Sequence, residues 1–164
     1  MKLKIRNFKN QDWALVSKIY AEGITTGIAT FETKEPSFEV WNEKFINDCR
    51  LVGEINNKVV GFAVLSQVSK RDVYNGVAEV TVYIAEDERG KGFGKQLLEA
   101  LVDESEKEGF WTLQAGIFSL NKASIQLHEK CGFRVVGIRE KIGKRGGKWY
   151  DNHFLERRSK KVGL

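Results

Sequence analysis

Residues 80–98 read Val80-Thr-Val-Tyr-Ile-Ala-Glu-Asp-Glu-Arg89-Gly90-Lys91-Gly92-Phe93-Gly94-Lys95-Gln96-Leu97-Leu98, and this stretch decides the fold. Its first residues alternate apolar and polar side chains, which is typical of a strand. Three glycines follow, and apolar side chains at positions 93, 97, 98, 101 and 102 then form one stripe of a helix. The order of strand, glycine-rich turn and helix predicts a site where backbone amides and the positive end of the helix bind phosphate.

The glycines at positions 90, 92 and 94 let a ligand approach the backbone because they carry no Cβ. Cationic side chains surround the same turn: Arg89, Lys91 and Lys95. A diphosphate is therefore the expected ligand. Two other interpretations exist: a tight connection without a ligand, and a dinucleotide fingerprint. The fingerprint fits poorly because G-x-G-x-x-G needs a third glycine where Leu97 stands.

The rest of the chain predicts a mixed order of strands and helices in one domain, residues 1–164. The predicted strands are 2–6, 51–55, 58–66, 77–85, 111–118, 133–140 and 149–156, with Asn56-Asn57 as a tight hairpin turn. The predicted helices follow an Asn10 cap, run from a Ser37 cap to about Cys49, and cover 91–108 and 123–131. Residues 24–36 are expected to be irregular, and the glycine patch 143–147 to be a hairpin loop.

Composition limits the classes of partner and location. The 164 residues, 41% of them hydrophobic, suffice for one core but not for two ordinary domains. The longest apolar run, Val59 to Leu65, is too short to cross a bilayer, and the N-terminal residues lack the apolar segment of a signal peptide. We therefore expect a cytoplasmic protein without a membrane partner. The net charge of +5 admits nucleic acid, an anionic surface or a polyanionic small molecule, but no recognition motif supports nucleic acid.

The cysteine and histidine pattern does not predict a metal site. Cys49 and Cys131 lie far apart in the sequence and form no C-x-x-C pair, and His128 and His153 are the two histidines of the chain. Two reduced, partly buried thiols are the expected state of the cysteines.

Two motifs carry a family resemblance. Arg89-x-x-Gly92-x-Gly94 is similar to the signature of the GCN5-related N-acetyltransferases (GNAT), and 121–133, Asn-Lys-Ala-Ser-Ile-Gln-Leu-His-Glu-Lys-Cys-Gly-Phe, resembles the block that follows it in such enzymes. Segments 23–32, 77–80, 111–118 and 155–159 look like the phosphinothricin and methionine sulfoximine acetyltransferase branch, so the resemblance covers nearly the whole chain. It implies an α/β (α+β) fold with a mixed, mostly antiparallel, twisted sheet, splayed between two central strands and flanked by helices.

The resemblance also implies acetyl-CoA as co-substrate and a set of residues that bind it. The pantetheine arm would lie in the splay, and the diphosphate would lie on the glycine-rich turn. The implied cofactor-binding residues are Val82, Tyr83, Ile84, Arg89, Gly90, Lys91, Gly92, Phe93, Gly94, Lys95, Asn121 and Ser124. The family pattern places Tyr, often assigned as the acid for the departing thiolate, where this chain has His128. His128 is thus either that acid or a histidine packed in its helix.

An N-acetyltransferase needs a base because an α-amine, with a pKa of about 8, is mostly protonated at neutral pH. Strand alternation places Glu79 on one face with Thr81 and Tyr83, away from Val80 and Val82. A carboxylate within an apolar strand is either part of a structural ion pair or functional. In the branch that the chain resembles, this position is the proposed base, which favours Glu79 as the catalytic residue.

The acceptor implied by the branch is a small amino acid with a carboxylate and a second polar head, of the phosphinothricin, methionine sulfoximine or methionine sulfone type. Cationic side chains should then line its pocket, and Arg71 can bind a carboxylate through two parallel bonds. The expected acceptor-binding residues are Phe31, Glu32, Lys70, Arg71, Asp72 and Tyr74, with a homodimer in which one copy's loop completes the other's pocket. A protein N-terminus, a polyamine or an aminoglycoside as acceptor, or a non-catalytic CoA-binding domain, are the alternatives.

Overall fold

A seven-stranded sheet organises the computed structural model, which describes residues 2–164. The strands are β1 (Lys4–Asn7), β2 (Leu51–Ile55), β3 (Lys58–Gln67), β4 (Val77–Ile84), β5 (Thr112–Phe118), β6 (Arg134–Arg145) and β7 (Lys148–Arg158). The α-helices are α1 (Trp13–Thr25), α2 (Phe38–Lys44), α3 (Phe93–Lys107) and α4 (Lys122–Lys130). The strand order across the sheet is β1-β2-β3-β4-β5-β7-β6.

The sheet opens between its two central strands. The one parallel pair within residues 2–164, β4 with β5, joins Val77–Glu79 to residues 112–114 and ends there. The adjacent pairs, β3 with β4 and β5 with β7, are antiparallel and continue to the ends of β4 and β5. The rest of β4, from Val80 to Ile84, therefore faces a gap on the β5 side. The predicted mixed, mostly antiparallel sheet with a central splay is confirmed.

Each face of β4 packs into a different core. Val80, Val82 and Ile84 belong to or pack against the cluster that includes Leu97 and Leu98 of α3. Tyr83 lies on the other face, in the cluster built from α1 and α2. The period of two therefore separates the two sides of this strand, as the alternation of residues 80–84 predicts.

The first hairpin agrees with its sequence signal. Asn56 and Asn57 have φ of 50° and 63°, the left-handed conformation that a two-residue primed turn needs. Each strand beside this turn is mostly buried, which matches their continuous apolar composition.

Two helix predictions need correction. Ser37 does cap its helix, since its Oγ accepts from the amide of Val40, but the helix ends at Lys44 rather than near Cys49. The backbone becomes extended at Phe45, which pairs with Ser66 near the end of β3. This part of β3 lies beyond Ala63, the last β3 residue that pairs with β2. Asn10 does not cap α1. It opens a 3-10 turn, and the helix begins at Trp13.

The last hairpin is longer than predicted. β6 runs to Arg145 and β7 begins at Lys148, so Gly143 lies within a strand and the turn is confined to Gly146 and Gly147. Both turn glycines have positive φ, 56° and 77°. Gly143 is needed for packing, because a Cβ there would lie 2.5 Å from the Phe31 ring.

Cys49 is buried and Cys131 partly buried, and neither forms a disulfide. Burial raises the pKa of the Cys49 thiol to about 12. No helix formed by residues 2–164 is long and apolar enough to cross a membrane.

Candidate active site

A cavity of about 770 Å³ occupies the gap in the sheet. Its walls come from the unpaired half of β4, the end of β5, the glycine-rich turn before α3, the first turns of α4 and the loop 26–31. The sequence-predicted residues that line it are Phe31, Glu79, Val82, Tyr83, Ile84, Arg89, Gly90, Gly92, Phe93, Gly94, Lys95, Asn121 and Ser124. Most of the predicted site is therefore brought together in one cleft.

The glycine-rich turn leaves open space where side chains would stand. Gly90 and Gly92 have φ of 76° and 83°, and a Cβ built on either would meet no protein atom within 4 Å. Gly92 directly precedes α3, whose first amides lack partners within the helix. Free amides, open space and a helix N-terminus together form an anion-binding site.

The three predicted cations differ in position. Arg89 and Lys95 line the cavity, and the Arg89 Nε donates to the Ile84 carbonyl at 3.2 Å, which ties the turn to the end of β4. Lys95 also forms an ion pair with Glu99 at 2.6 Å, which raises the pKa of Lys95. Lys91 is exposed, pairs with Glu88 and does not line the cavity.

The start of α4 forms the wall beside this turn. The Asn121 Oδ1 accepts from the Ser124 amide at 3.2 Å, so Asn121 is a helix cap as well as a cavity residue. His128, 6% exposed, lines the cavity, and its Nδ1 lies 2.7 Å from the Ser124 carbonyl. Burial lowers the pKa of His128, which keeps its ring neutral with the proton on Nδ1. Such a histidine is a poor proton donor at neutral pH, so the packed interpretation is the better supported.

Glu79 lies where the gap opens, as the last residue of β4 that pairs with β5. Its Oε1 is 3.9 Å from the point that a Cβ of Gly116 would occupy, so the carboxylate extends over β5 toward the cavity. Among residues 2–164 it forms no ion pair with a Lys, Arg or His side chain. The structural ion pair considered from the sequence is therefore absent.

Aromatic side chains also line the cleft. The rings of Phe31 and Phe118 pack tilted with their centroids 4.4 Å apart, and Phe118 lies 5.1 Å from Tyr150. Tyr20 of α1 meets Tyr83 edge to face at 5.1 Å, and burial raises the pKa of both phenols. The cleft therefore has aromatic as well as polar walls.

Five predicted acceptor residues do not line the cavity of this chain. Glu32 is exposed and does not line the cavity. The segment Lys70 to Tyr74 is an exposed turn between β3 and β4, in which the Arg71 guanidinium lies 5.4 Å from the Tyr74 ring. The turn precedes β4 by only a few residues, but it lies at the paired end of that strand rather than at the open end. The acceptor role of all five residues, Glu32, Lys70, Arg71, Asp72 and Tyr74, stays a prediction.

Residues of the last hairpin also line the cavity, and the sequence did not indicate them. They are Arg139 of β6 and Asn152 and Phe154 of β7. A period of two places Asn152 and Phe154 on one face, but this signal becomes usable only when β7 is known to lie beside β5. Within residues 2–164 no group of three or more His, Cys, Asp or Glu side chains could hold a metal ion.

The comparisons with known proteins agree with this geometry. The family model described as an acetyltransferase (GNAT) domain matches residues 5–154. The chain belongs to the GNAT acetyltransferase family. The L-methionine sulfoximine/L-methionine sulfone acetyltransferase of Pseudomonas aeruginosa is 36% identical over 99 residues, and the match covers 60% of this chain and 58% of that protein.

Two further relatives extend over nearly the whole GNAT domain. The phosphinothricin N-acetyltransferase of Alcaligenes faecalis is 31% identical over 93% of this chain and 81% of its own length. A GNAT superfamily phosphinothricin acetyltransferase from Sinorhizobium meliloti, solved in complex with acetyl-CoA, superimposes with a TM-score of 0.88 at 29% identity, covering 96% of this chain and 89% of that one. The predicted family, branch and fold are confirmed.

Proposed function

We propose that this protein transfers the acetyl group of acetyl-CoA to the primary amine of a small amino-acid-like acceptor, of the phosphinothricin, methionine sulfoximine or methionine sulfone type. The observation that carries this proposal is the position of Glu79. It stands where the sheet opens, with the glycine-rich turn and the unpaired backbone of β4 at the same cavity. One cleft thus combines an anion-binding turn, an open strand edge and an unpaired carboxylate.

The cofactor side of the cleft fits a diphosphate and an extended arm. The space over Gly90 and Gly92 admits phosphate oxygens close to backbone amides, and Arg89 and Lys95 add positive charge. Beyond Glu79 no strand pairs with β4 on the β5 side, so an extended pantetheine arm can pair there as an added strand does, although the Ile84 carbonyl already accepts from Arg89. Bound acetyl-CoA would supply the acetyl group as an activated thioester.

On the acceptor side, Glu79 acts as the general base. It removes a proton from the acceptor ammonium, directly or through a water, and the freed amine attacks the acetyl carbon so that a C–N bond forms and the C–S bond breaks. Coenzyme A leaves as the thiolate, and the second proton that the nitrogen loses protonates this thiolate. We assign the Val82 amide to the developing oxyanion and Asn121 to the arm, as the family resemblance implies, and both residues line the cavity.

We also propose a homodimer that acts in the cytoplasm. Large apolar side chains are exposed along the last hairpin, at Ile138, Ile142 and Trp149, and an exposed apolar patch of this kind suits a protein interface. A second copy could bring the Lys70 to Tyr74 turn to a cleft that its own chain does not reach. Two free thiols suit a reducing compartment. Light scattering of the purified protein tests the dimer, and a monomer at micromolar concentration would contradict it.

A thiol-release assay with acetyl-CoA tests the reaction. The acceptor panel comprises methionine sulfone, methionine sulfoximine, phosphinothricin, several protein amino acids, spermidine, an aminoglycoside and a peptide with a free N-terminus. We expect turnover with methionine sulfone, methionine sulfoximine or phosphinothricin and little with the polyamine, the aminoglycoside or the peptide. Turnover confined to the polyamine, the aminoglycoside and the peptide would show that the proposed acceptor class is wrong. If acetyl-CoA does not bind at millimolar concentration, the proposed activity itself is wrong.

The Glu79→Gln variant tests the base. Gln keeps the volume and removes the basicity, so kcat should fall about 10²- to 10⁴-fold, most strongly at low and neutral pH where the amine is still protonated. Glu156→Gln is the matched control, because Glu156 is a carboxylate of the same sheet, on β7 beyond β5, that pairs with Arg134 and lies outside the cavity. A Glu79→Gln enzyme with normal melting temperature and wild-type turnover from pH 6 to 9 would exclude Glu79 as the base.

A further inference from the structure

A row of polar groups crosses the floor of the cleft from the last hairpin to Glu79. Arg139 of β6 lies directly opposite Asn152 of β7, and Gly116 of β5 lies directly opposite Phe154 of β7. Directly opposed residues project from the same face of a sheet, as do residues two apart on one strand. Arg139, Asn152 and Phe154 therefore share one face, and the Glu79 carboxylate reaches over Gly116 on that face.

The Asn152 carboxamide is short of partners. Its Oδ1 is buried and accepts no hydrogen bond from residues 2–164, while its Nδ2 lies 3.6 Å from the point that a Cβ of Gly116 would occupy. Glu79 Oε1 approaches the same point at 3.9 Å. A buried acceptor without a donor is destabilising, and an N–H group of a bound ligand would relieve this cost. Since a half-turn of the carboxamide exchanges its oxygen and nitrogen, Asn152 can offer either group over the space that Gly116 leaves.

Arg139 is a cation without a carboxylate partner among residues 2–164. Its guanidinium lies 4.4 Å from the centroid of the Phe154 ring, which supports the planar group at the cavity wall and leaves its N–H donors free for a ligand. A guanidinium held in this way is suited to bind a carboxylate through two parallel hydrogen bonds.

We propose that Arg139 and Asn152 are the specificity-determining residues for the acceptor, and that they select an α-amino acid. The carboxylate binds Arg139, and the amine lies between Asn152 and Glu79, where the base removes its proton. Arg139 lies at one end of this row and Glu79 at the other, with Asn152 between them. An α-amino acid can span it, because its carboxylate and its amine lie on opposite sides of the α-carbon. This inference rests on the proposed function and adds to it the requirement for a free α-carboxylate.

Arg139→Met tests the carboxylate contact. The probes are methionine sulfone and its decarboxylated amine, 3-(methylsulfonyl)propylamine. Loss of hydrogen bonds to a charged group should lower kcat/KM for methionine sulfone about 10- to 150-fold, while kcat/KM for the amine and the KM for acetyl-CoA stay unchanged. Arg139→Lys should recover part of the loss. Arg134→Met is the control on the same strand, because Arg134 pairs with Glu156 and lies outside the cavity.

Asn152→Leu tests the carboxamide by comparing the melting temperature with kcat/KM, which a binding role and a structural role should change in different ways. Removing a buried polar group without a partner should raise the melting temperature, whereas kcat/KM for methionine sulfone should fall. A lower melting temperature with unchanged kinetics would assign Asn152 to the fold alone.

Two outcomes separate this inference from the proposed function. If the wild-type enzyme acetylates methionine sulfone and the Arg139→Met enzyme prefers it over the decarboxylated amine as strongly as wild type does, the selectivity inference is wrong and the proposed function stands. The same conclusion follows if Arg71→Ala, rather than Arg139→Met, abolishes the preference. If the wild-type enzyme acetylates no amino acid, both are wrong.

Discussion

Replacing Gly92 by Ala separates the backbone role of this glycine from its role in binding. Gly92 has φ of 83°, so a side chain there is strained by about 1–2 kcal/mol. For a protein of this size, that strain lowers the melting temperature by about 2–8 °C. The new methyl group would meet no protein atom within 4 Å, but it would occupy the space assigned to the diphosphate. Losing one charge-assisted hydrogen bond to phosphate costs about 1.5–3 kcal/mol, which raises the KM for acetyl-CoA about 10- to 150-fold.

Gly109→Ala supplies a matched control. Gly109 has φ of 88°, its Cβ would also meet no protein atom within 4 Å, and it follows the opposite end of α3, outside the cavity. Both variants should lose similar stability in thermal unfolding, but only Gly92→Ala should change the KM in the thiol-release assay. Equal KM values for the two variants would show that the diphosphate does not bind at this turn.

Two further predictions concern pH. Burial lowers the pKa of His128, so near pH 6.5 the unfolded chain takes up a proton that the folded chain does not. The free energy of unfolding should therefore fall below this pH, by at most about 1.4 kcal/mol per pH unit, and should level off below the folded pKa. His128→Leu should abolish this component of the slope in urea unfolding between pH 7.5 and 5, and an unchanged slope would contradict it. Asp12 receives two bonds from Arg6, at 2.8 and 2.9 Å, which lower its pKa, so its contribution is present above about pH 4 and is lost as the pH falls through the folded value. Asp12→Asn should cost about 1.5–3 kcal/mol at pH 7 and much less at pH 2, and an equal cost at both would show that the ion pair is not responsible.

The local signals in the sequence predicted the centre of the fold well. The stretch 80–98 contains a strand, a turn with free amides and an amphipathic helix within 19 successive residues, so no long-range contact is needed to recognise it. The Asn56-Asn57 hairpin is equally local. Alternation along β4 also placed Glu79 on the face opposite Val80 and Val82, because the two faces of a strand follow from its period alone.

The errors arose where a distant segment decides the local structure. The helix after Ser37 stops early because the main chain of Phe45 and Ile46 finds partners on the free end of β3, and no signal within residues 37–49 reveals those partners. Arg139 and Asn152 were missed for the same reason. Their side chains reach the cleft only because β7 lies between β5 and β6, an order that the sequence of strands along the chain does not predict.

The position of Glu79 follows from the way the sheet is paired. β5 is held along its full length by β7, whereas β4 follows β3, so the two central strands part as soon as their short parallel ladder ends. Glu79 and Gln114 form the last pair of that ladder. One residue further along β4, no strand pairs with the backbone on the β5 side, and the side chains alternate between the face toward α3 and the face toward α1 and α2. A carboxylate at this position borders the space where a ligand in the gap would lie, which supports the proposal that Glu79 is the base. A carboxylate at position 78 or 80 could not serve in its place, because Ala78 and Val80 project to the other face of the sheet.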